Sequence, residues 1–379
     1  MVMKKIAFIF ISLCLLVSVS CKQSSVQLEN FKQEVYTPEY ALGFSIVGAE
    51  GQQSTLIKVY NPWQGAKEVE MLYFISRNGE AAPSGFTGQV IQGNAERIVC
   101  MSSSYITMLD AIGGVERVVG VSGMDYISNP NILSKKSEIK DLGAEMNYEV
   151  LLSLSPDVVL LYGIGDAQST VTDKLQELQI PYMYVGEYLE ESPLGKAEWL
   201  MVLAEITDSR EKGAEVFQAI PARYNELKAL TDSVTFRPTV MLNTPWDDSW
   251  VMPSTNSYMV RLIADAGGDY IYKENTSNGS TPIGLETAYG LISRADFWIN
   301  VGAVTSLDEL KAVNPKFANA KAITNCTVYN NNLRQTAGGG NDFWESAVVR
   351  PDVVLRDLIA VFHPELLPGE QLYYYRHLE

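Results

Sequence analysis

Residues 208–233 read DSREKGAEVFQAIPARYNELKALTDS, and this stretch decides how the rest of the chain divides. Val216, Phe217, Ile220, Tyr224, Leu227 and Leu230 recur at three- and four-residue spacing, the stripe of an amphipathic helix. Asp208 or Ser209 is placed to cap its start, and Glu211 in the first turn suits the positive end of the helix dipole. About 22 helical residues span roughly 33 Å, the width of a small domain. Alternating strand and helix patterns lie on both sides, so the stretch is expected to be a strut between two lobes, with a cleft between them. Pro221 sits in mid-pattern, lacks an amide proton and clashes with the carbonyl of Phe217. The strut is therefore expected to kink or split there.

Working outward, 379 residues suffice for two lobes with separate cores. The formal charge is −16, from 29 basic and 45 acidic residues. With no basic run in the chain, a nucleic-acid partner is not expected, because phosphate binding needs clustered Lys and Arg. The two histidines, His363 and His377, are both near the C-terminus. No G-x-S-x-G, P-loop or H-E-x-x-H occurs. Histidine acid–base chemistry and a multi-histidine metal site are thus unsupported, and no cofactor is expected. Carboxylate catalysis stays open, since so many acids always offer pairs.

The N-terminus is expected to be processed. Lys4 and Lys5 precede an apolar run over 6–19, too short to span a bilayer and suited to a signal-peptide core. It ends at Ser20-Cys21 and a polar stretch. This resembles a bacterial lipoprotein signal, with residues 1–20 removed and Cys21 lipidated, although Ser18 stands where leucine is usual. Cys100 and Cys326 fall on opposite sides of the strut, and both are expected to be buried free thiols.

Residues 40–48, 54–60 and 69–77 are apolar-rich strand patterns separated by turn signals, and Asn78-Gly79 reads as a hairpin. Together, residues 21–95 are expected to form a lipidated N-terminus and a small β extension. From Arg97 strands and helices alternate, which predicts a parallel, doubly wound lobe over 96–207. After the strut at 208–233 the same grammar restarts, giving a second lobe over 234–379. The halves rhyme weakly. Leu109-Asp110-Ala111-Ile112-Gly113-Gly114 echoes Ala264-Asp265-Ala266-Gly267-Gly268, and Tyr148-Glu149 before one strand echoes Leu285-Glu286 before another.

Residues 162–168, YGIGDAQ, follow a strand and open a helix, but Gln168 replaces the third glycine of a dinucleotide fingerprint. Nucleotide binding is not expected, although ligands do collect at that edge of an open sheet. Trp246, Trp250, Tyr258, Phe343 and Trp344 cluster in loops of the second half, near Arg334 and the run Gly338-Gly339-Gly340. They read as a wall for a large, flat ligand, with Arg334 able to hold an anionic group. Glu149 and Glu286 suit helix N-termini in any protein. If they share one face, they form an acidic pair suited to docking on arginines.

At this point the chain resembles the substrate-binding proteins of ABC importers for iron chelates and vitamin B12, the rigid-strut class of periplasmic binding proteins. The resemblance covers about residues 90–367. It rests on Glu96-Arg97-Ile98-Val99 with Ser102-Ser103-Ser104, on NYEVLLSLSPDVVL at 147–160, and on Arg350-Pro351-Asp352 and His363-Pro364-Glu365. It implies two Rossmann-like lobes joined by one long helix, and a monomer anchored to the membrane by its lipid. It also implies a metal chelate held in the cleft with little hinge closure, and Glu149 and Glu286 meeting arginines of a membrane permease. The expected ligand-binding residues are Ser103, Ser104, Tyr105, Tyr126, Gly163, Trp246, Trp250, Arg334 and Trp344. Among ligands, a siderophore complex is favoured, then a corrinoid, then haem, whose ligation would need Tyr105 or Tyr126. Two readings of other classes stand beside it. One is an exported hydrolase or reductase using Ser103 or Asp125. The other is an interaction protein that uses the β extension of residues 40–95 to contact an outer-membrane partner and leaves ligand affinity independent of it.

Overall fold

We describe a computed structural model of the chain, which covers residues 26–163, 168–277 and 279–379. The signal segment, Cys21 and residues 164–167 of the fingerprint-like loop lie outside the described residues.

The N-terminal extension is one five-stranded sheet. Its strands are β1 (Gln33–Tyr36), β2 (Phe44–Gly48), β3 (Thr55–Tyr60), β4 (Glu70–Ser76) and β5 (Gln89–Gln92), arranged in that order. Asn78-Gly79 does not make the expected hairpin, because β5 runs parallel to β4. Both residues do take positive φ in a turn closed by Glu80 N–H to Arg77 O. The Glu80 carboxylate then accepts from the amides of Gln53 and Ser54, at the end of the neighbouring hairpin.

The first lobe follows as β6 (Ile98–Cys100), α1 (Ser103–Ala111), β7 (Val118–Val121), α2 (Pro130–Ser134), β8 (Lys140–Asp141), α3 (Tyr148–Leu154), β9 (Val158–Leu161), α4 (Gln168–Glu177), β10 (Tyr182–Tyr184), α5 (Pro193–Glu198) and α6 (Leu200–Ile206). Its sheet has the order β10-β9-β6-β7-β8, all parallel. The strands β6, β9 and β10 are buried on both faces, which is why they read as short, unbroken apolar runs.

The strut is α7 (Arg210–Ala229), one continuous helix with Pro221 inside it. The expected split at Pro221 does not occur. The buried stripe Gly213, Phe217, Ile220 and Tyr224 runs past the proline on both sides. Packing of that stripe, more than local propensity, carries the helix across the missing hydrogen bond.

The second lobe comprises β11 (Thr239–Leu242), β12 (Ser249–Met252), α8 (Tyr258–Asp265), β13 (Asp269–Tyr270), β14 (Thr281–Gly284), α9 (Leu285–Ile292), β15 (Phe297–Ile299), α10 (Leu307–Val313), α11 (Lys321–Thr324), β16 (Val328–Asn330), α12 (Asp342–Glu345), α13 (Pro351–Phe362) and β17 (Arg376–His377). Its sheet order is β13-β11-β15-β16-β17, with β17 antiparallel. The chain is thus an α/β protein of two Rossmann-like lobes joined by a long helix, with an N-terminal β extension. The repeated glycine pairs end equivalent helices: Gly113 after α1 and Gly267 after α8 both take positive φ, where a side chain would strain the cap. Cys100 is buried, and desolvation pushes its thiol pKa up, whereas Cys326 is exposed, against expectation. Cys326 stands in a left-handed turn just before β16, where the chain is still at the surface.

Candidate functional site

The site forms where the carboxyl ends of both sheets face each other, as expected for open α/β sheets. Three adjoining chambers occupy this cleft. The innermost, about 220 Å³, lies between Ser104, Glu187 and Lys196 of the first lobe and Tyr258, Phe343 and Trp344 of the second. A chamber of about 290 Å³ shares Tyr188, Tyr258 and Trp344 with it. A third, about 500 Å³, shares Asn243, Asn300 and Trp344 with the second and reaches Ser103 and Tyr126. Trp344 lines all three.

Local signals put these side chains there. Asn341 caps α12 by accepting from Phe343 N–H at 3.0 Å, which fixes Phe343 and Trp344 in the first turn. Their rings meet edge to face at 4.8 Å. Phe343 points into the core while Trp344 stays 56 % exposed. Ser257 caps α8 and so presents Tyr258. Asn243 and Asn300 follow β11 and β15 at matching places, both with positive φ, a conformation asparagine tolerates better than most residues.

The innermost chamber is electrostatically distinctive. Ser104 Oγ donates to Glu187 Oε1 at 2.7 Å, while Glu187 Oε2 is buried without a partner among the described residues. Burial raises the Glu187 pKa, against the pull of nearby Lys196. Burial likewise lowers the Lys196 pKa, opposed by Glu187 and Glu190. The Lys196 ammonium lies 4.4 Å from the Tyr258 ring centroid. The outer chamber is walled by neutral amides. Asn331 Nδ2 and Asn332 Oδ1 are buried there with no hydrogen-bond partner among the described residues.

Contacts between the lobes bound the outer chamber. Glu345 Oε2 accepts from Ser128 N–H at 2.7 Å. Cβ atoms built on Gly338 and Gly340 would stand 2.4 Å from Asp125 O and 2.1 Å from Tyr126 O. The glycine run therefore serves close approach between lobes.

The expected site residues separate clearly. Ser103, Ser104, Tyr126 and Trp344 line the cleft. Tyr105 does not: it is fully buried and its hydroxyl donates to Leu161 O and Val185 O, so it braces the sheet. Trp250 is also core. It alternates inward on β12, donates from Nε1 to Leu242 O at 2.8 Å and packs on Trp298 and Phe317. Trp246 is 77 % exposed and lies outside the three chambers. Arg334 pairs with Asp342 at 2.6 Å and lies over the Tyr373 ring at 4.3 Å, so its charge is committed away from the cleft. Gly163 is covered by Trp63 and gives its carbonyl to the Tyr188 hydroxyl. Asp125 pairs with exposed Lys136. Reading the sequence missed Glu187, Tyr188, Lys196 and the asparagines. The strand-end positions of Asn243 and Asn300 were the available signal.

Glu149 and Glu286 are exposed in the first turns of α3 and α9. Those helices lead into β9 and β15, each paired with the first strand of its lobe. The two glutamates therefore hold equivalent places in the two lobes. Among the described residues, no helix is long and apolar enough to cross a membrane, and no cluster of three potential metal ligands occurs.

Comparison with known proteins agrees. An uncharacterized lipoprotein of Methanocaldococcus jannaschii is 25 % identical over 344 residues, 84 % of this chain and 80 % of that protein. A periplasmic binding protein from Veillonella parvula superposes with a TM-score of 0.60 at 14 % identity, covering 83 % of this chain and 99 % of that one. The periplasmic vitamin B12 binding protein of Vibrio cholerae gives 0.52 at 14 % identity, covering 73 % and 99 %. Residues 98–331 match the family described as periplasmic binding protein, and the chain belongs to that family.

Proposed function

We propose that the protein is the solute-binding lipoprotein of an ABC importer. It captures a metal chelate in the cleft around Trp344 and presents it to a membrane permease through Glu149 and Glu286. Lipid on Cys21 would hold it at the membrane. The observation that carries this reading is the run of three chambers between two lobes joined by one continuous helix, with one exposed indole, Trp344, common to all of them.

The lining argues for a chelate of low net charge. Lys196 is the one cation among the residues lining the three chambers, and Glu187, Glu190 and Glu191 line them too. With Arg334 held by Asp342, a polyanionic catecholate complex would meet little compensating charge. Aromatic faces with amide edges suit a corrinoid, or a neutral ferric siderophore, better.

Thermal unfolding with cyanocobalamin, a ferric tris-hydroxamate, a ferric tris-catecholate and haemin tests this. One of the first two should raise the melting temperature saturably. Trp344→Ala should weaken that binding by roughly tenfold or more, as loss of a stacking aromatic does, with little change in the unliganded melting temperature. No shift with any of the four probes would overturn the ligand assignment.

A further inference from the structure

We infer that residues 61–66, the loop between β3 and β4, roof one end of the solute cleft, and that Gln64 contacts the solute and sets specificity there. The inference rests on the cleft at Trp344 being the solute site. The loop lies outside the 98–331 segment that matches the family, so it is a wall that the two-lobed fold does not itself provide.

The loop is preformed. Asn61 N–H donates to Val69 O at 2.8 Å, and Val69 N–H donates to Asn61 Oδ1 at 3.1 Å, closing its base. It is also seated on the first lobe. Trp63 forms a parallel bridge with Gly163, and its ring lies 5.5 Å from that of Tyr184. A Cβ built on Gly163 would stand 2.6 Å from Trp63 Cβ, so the two backbones touch. The Tyr188 hydroxyl secures the seat: it donates to the carbonyl of Gly163, the residue that bridges Trp63.

Past Trp63 the loop reaches the second lobe. Gln64 Nε2 comes 2.8 Å from where a Cβ on Gly279 would stand. Gln64 thereby lines the same chamber as Tyr258, Asn300 and Trp344. Seating falls to Trp63 and the backbone, which leaves the exposed Gln64 carboxamide, with two donors and an acceptor, directed at the chamber. An ordered hydrogen-bonding group at the mouth of an apolar cleft rejects solutes that lack its partner far more strongly than an apolar wall does. The matching solute carries carboxamide or hydroxyl groups on its edge. The extension is then part of the binding site, so affinity depends on it.

Two readouts test this on the full chain. In the first, the thiol introduced by Ser257→Cys, in a Cys326→Ser background, is alkylated with and without a Gly-Gly replacement of residues 62–66. Loss of the roof should speed alkylation about fivefold or more; an unchanged rate would overturn the inference. In the second, cyanocobalamin and a ferric tris-hydroxamate are titrated into Gln64→Ala and Trp344→Ala. Gln64→Ala should weaken the probe that binds by roughly tenfold, the value of one desolvated hydrogen bond, at unchanged melting temperature. If Trp344→Ala weakens binding and Gln64→Ala does not, the specificity role falls while the functional reading stands. If neither probe binds the parent protein, the functional reading falls, and the alkylation rates decide the roof alone.

Discussion

At the residue scale, three tryptophans with the same sequence signature have three different lives. Trp246, Trp250 and Trp344 all sit in polar, loop-like contexts. Yet Trp250 is fully buried and hydrogen-bonded, Trp246 is exposed outside the cleft, and Trp344 lines it. The difference comes from strand β12, whose alternation turns Trp250 inward, and from the Asn341 cap, which turns Trp344 outward. Four residues of alternation are too few to see in a loop-like stretch, so the distinction was not legible in the sequence. The pairing of Arg334 was hidden for a related reason: its partner Asp342 is eight residues away, across a turn that local patterns do not reveal. Glu345 supplies a pH test at this scale. Burial, with added repulsion from Asp342 and Asp110, pushes its carboxyl up to about 7 from an ordinary 4.5. The unfolded chain therefore releases this proton first, and the group's contribution to stability declines as pH rises from about 4.5 to about 7. A shift of that size corresponds to about 3 kcal/mol. Glu345→Gln should remove the decline. Denaturant titrations at pH 5 and pH 8 should find the variant gaining on the parent protein by roughly 2–3 kcal/mol at the higher pH.

At the scale of elements, the strut was legible from its apolar stripe, and its fate at Pro221 was not. A local rule predicts a break there, and packing against both lobes overrides it. The extension tells a similar story. Its central strands announced themselves by turn signals, but what binds it to the first lobe lies far away in sequence. Glu198 of α5 is fully buried and accepts from Tyr36 O–H and from the amides of Glu39, Tyr40 and Ala41, at 2.7–2.8 Å. Glu190 holds Leu42 and Gly43 in the same way, and also takes Trp199 Nε1–H. Glu198→Ala would leave one buried and three partly buried donors without their acceptor, at a cost of about 3 kcal/mol. Limited proteolysis should then release the N-terminal sheet early, while the parent protein resists.

At the scale of the whole molecule, the two lobes repeat each other, down to a matching pair of surface acids. Glu149 and Glu286 precede strands with equivalent positions in their sheets, which places one acid at matching corners of each lobe. Exchanging both for lysine should leave solute affinity unchanged in the isolated protein. If the proposed docking on permease arginines holds, uptake by cells carrying the cognate permease should fall to background, because like charges would then face each other. The lobe architecture could be read from the strand–helix alternation alone. The cleft could be placed by the rule that strand ends make sites, but its three-sided construction could not. Gln64 with Gly279, and Ser128 with Glu345, join residues more than two hundred positions apart, and no local pattern records such pairs.

The most direct test of the central claim is native mass spectrometry, combined with an absorption spectrum, on the mature protein purified from its own host. A lipid-modified N-terminus at Cys21 is expected, with a retained, metal-containing chromophore whose mass matches a corrinoid or a neutral ferric chelate. A retained solute without metal would contradict it. So would a colourless protein to which none of the four chelate probes binds saturably.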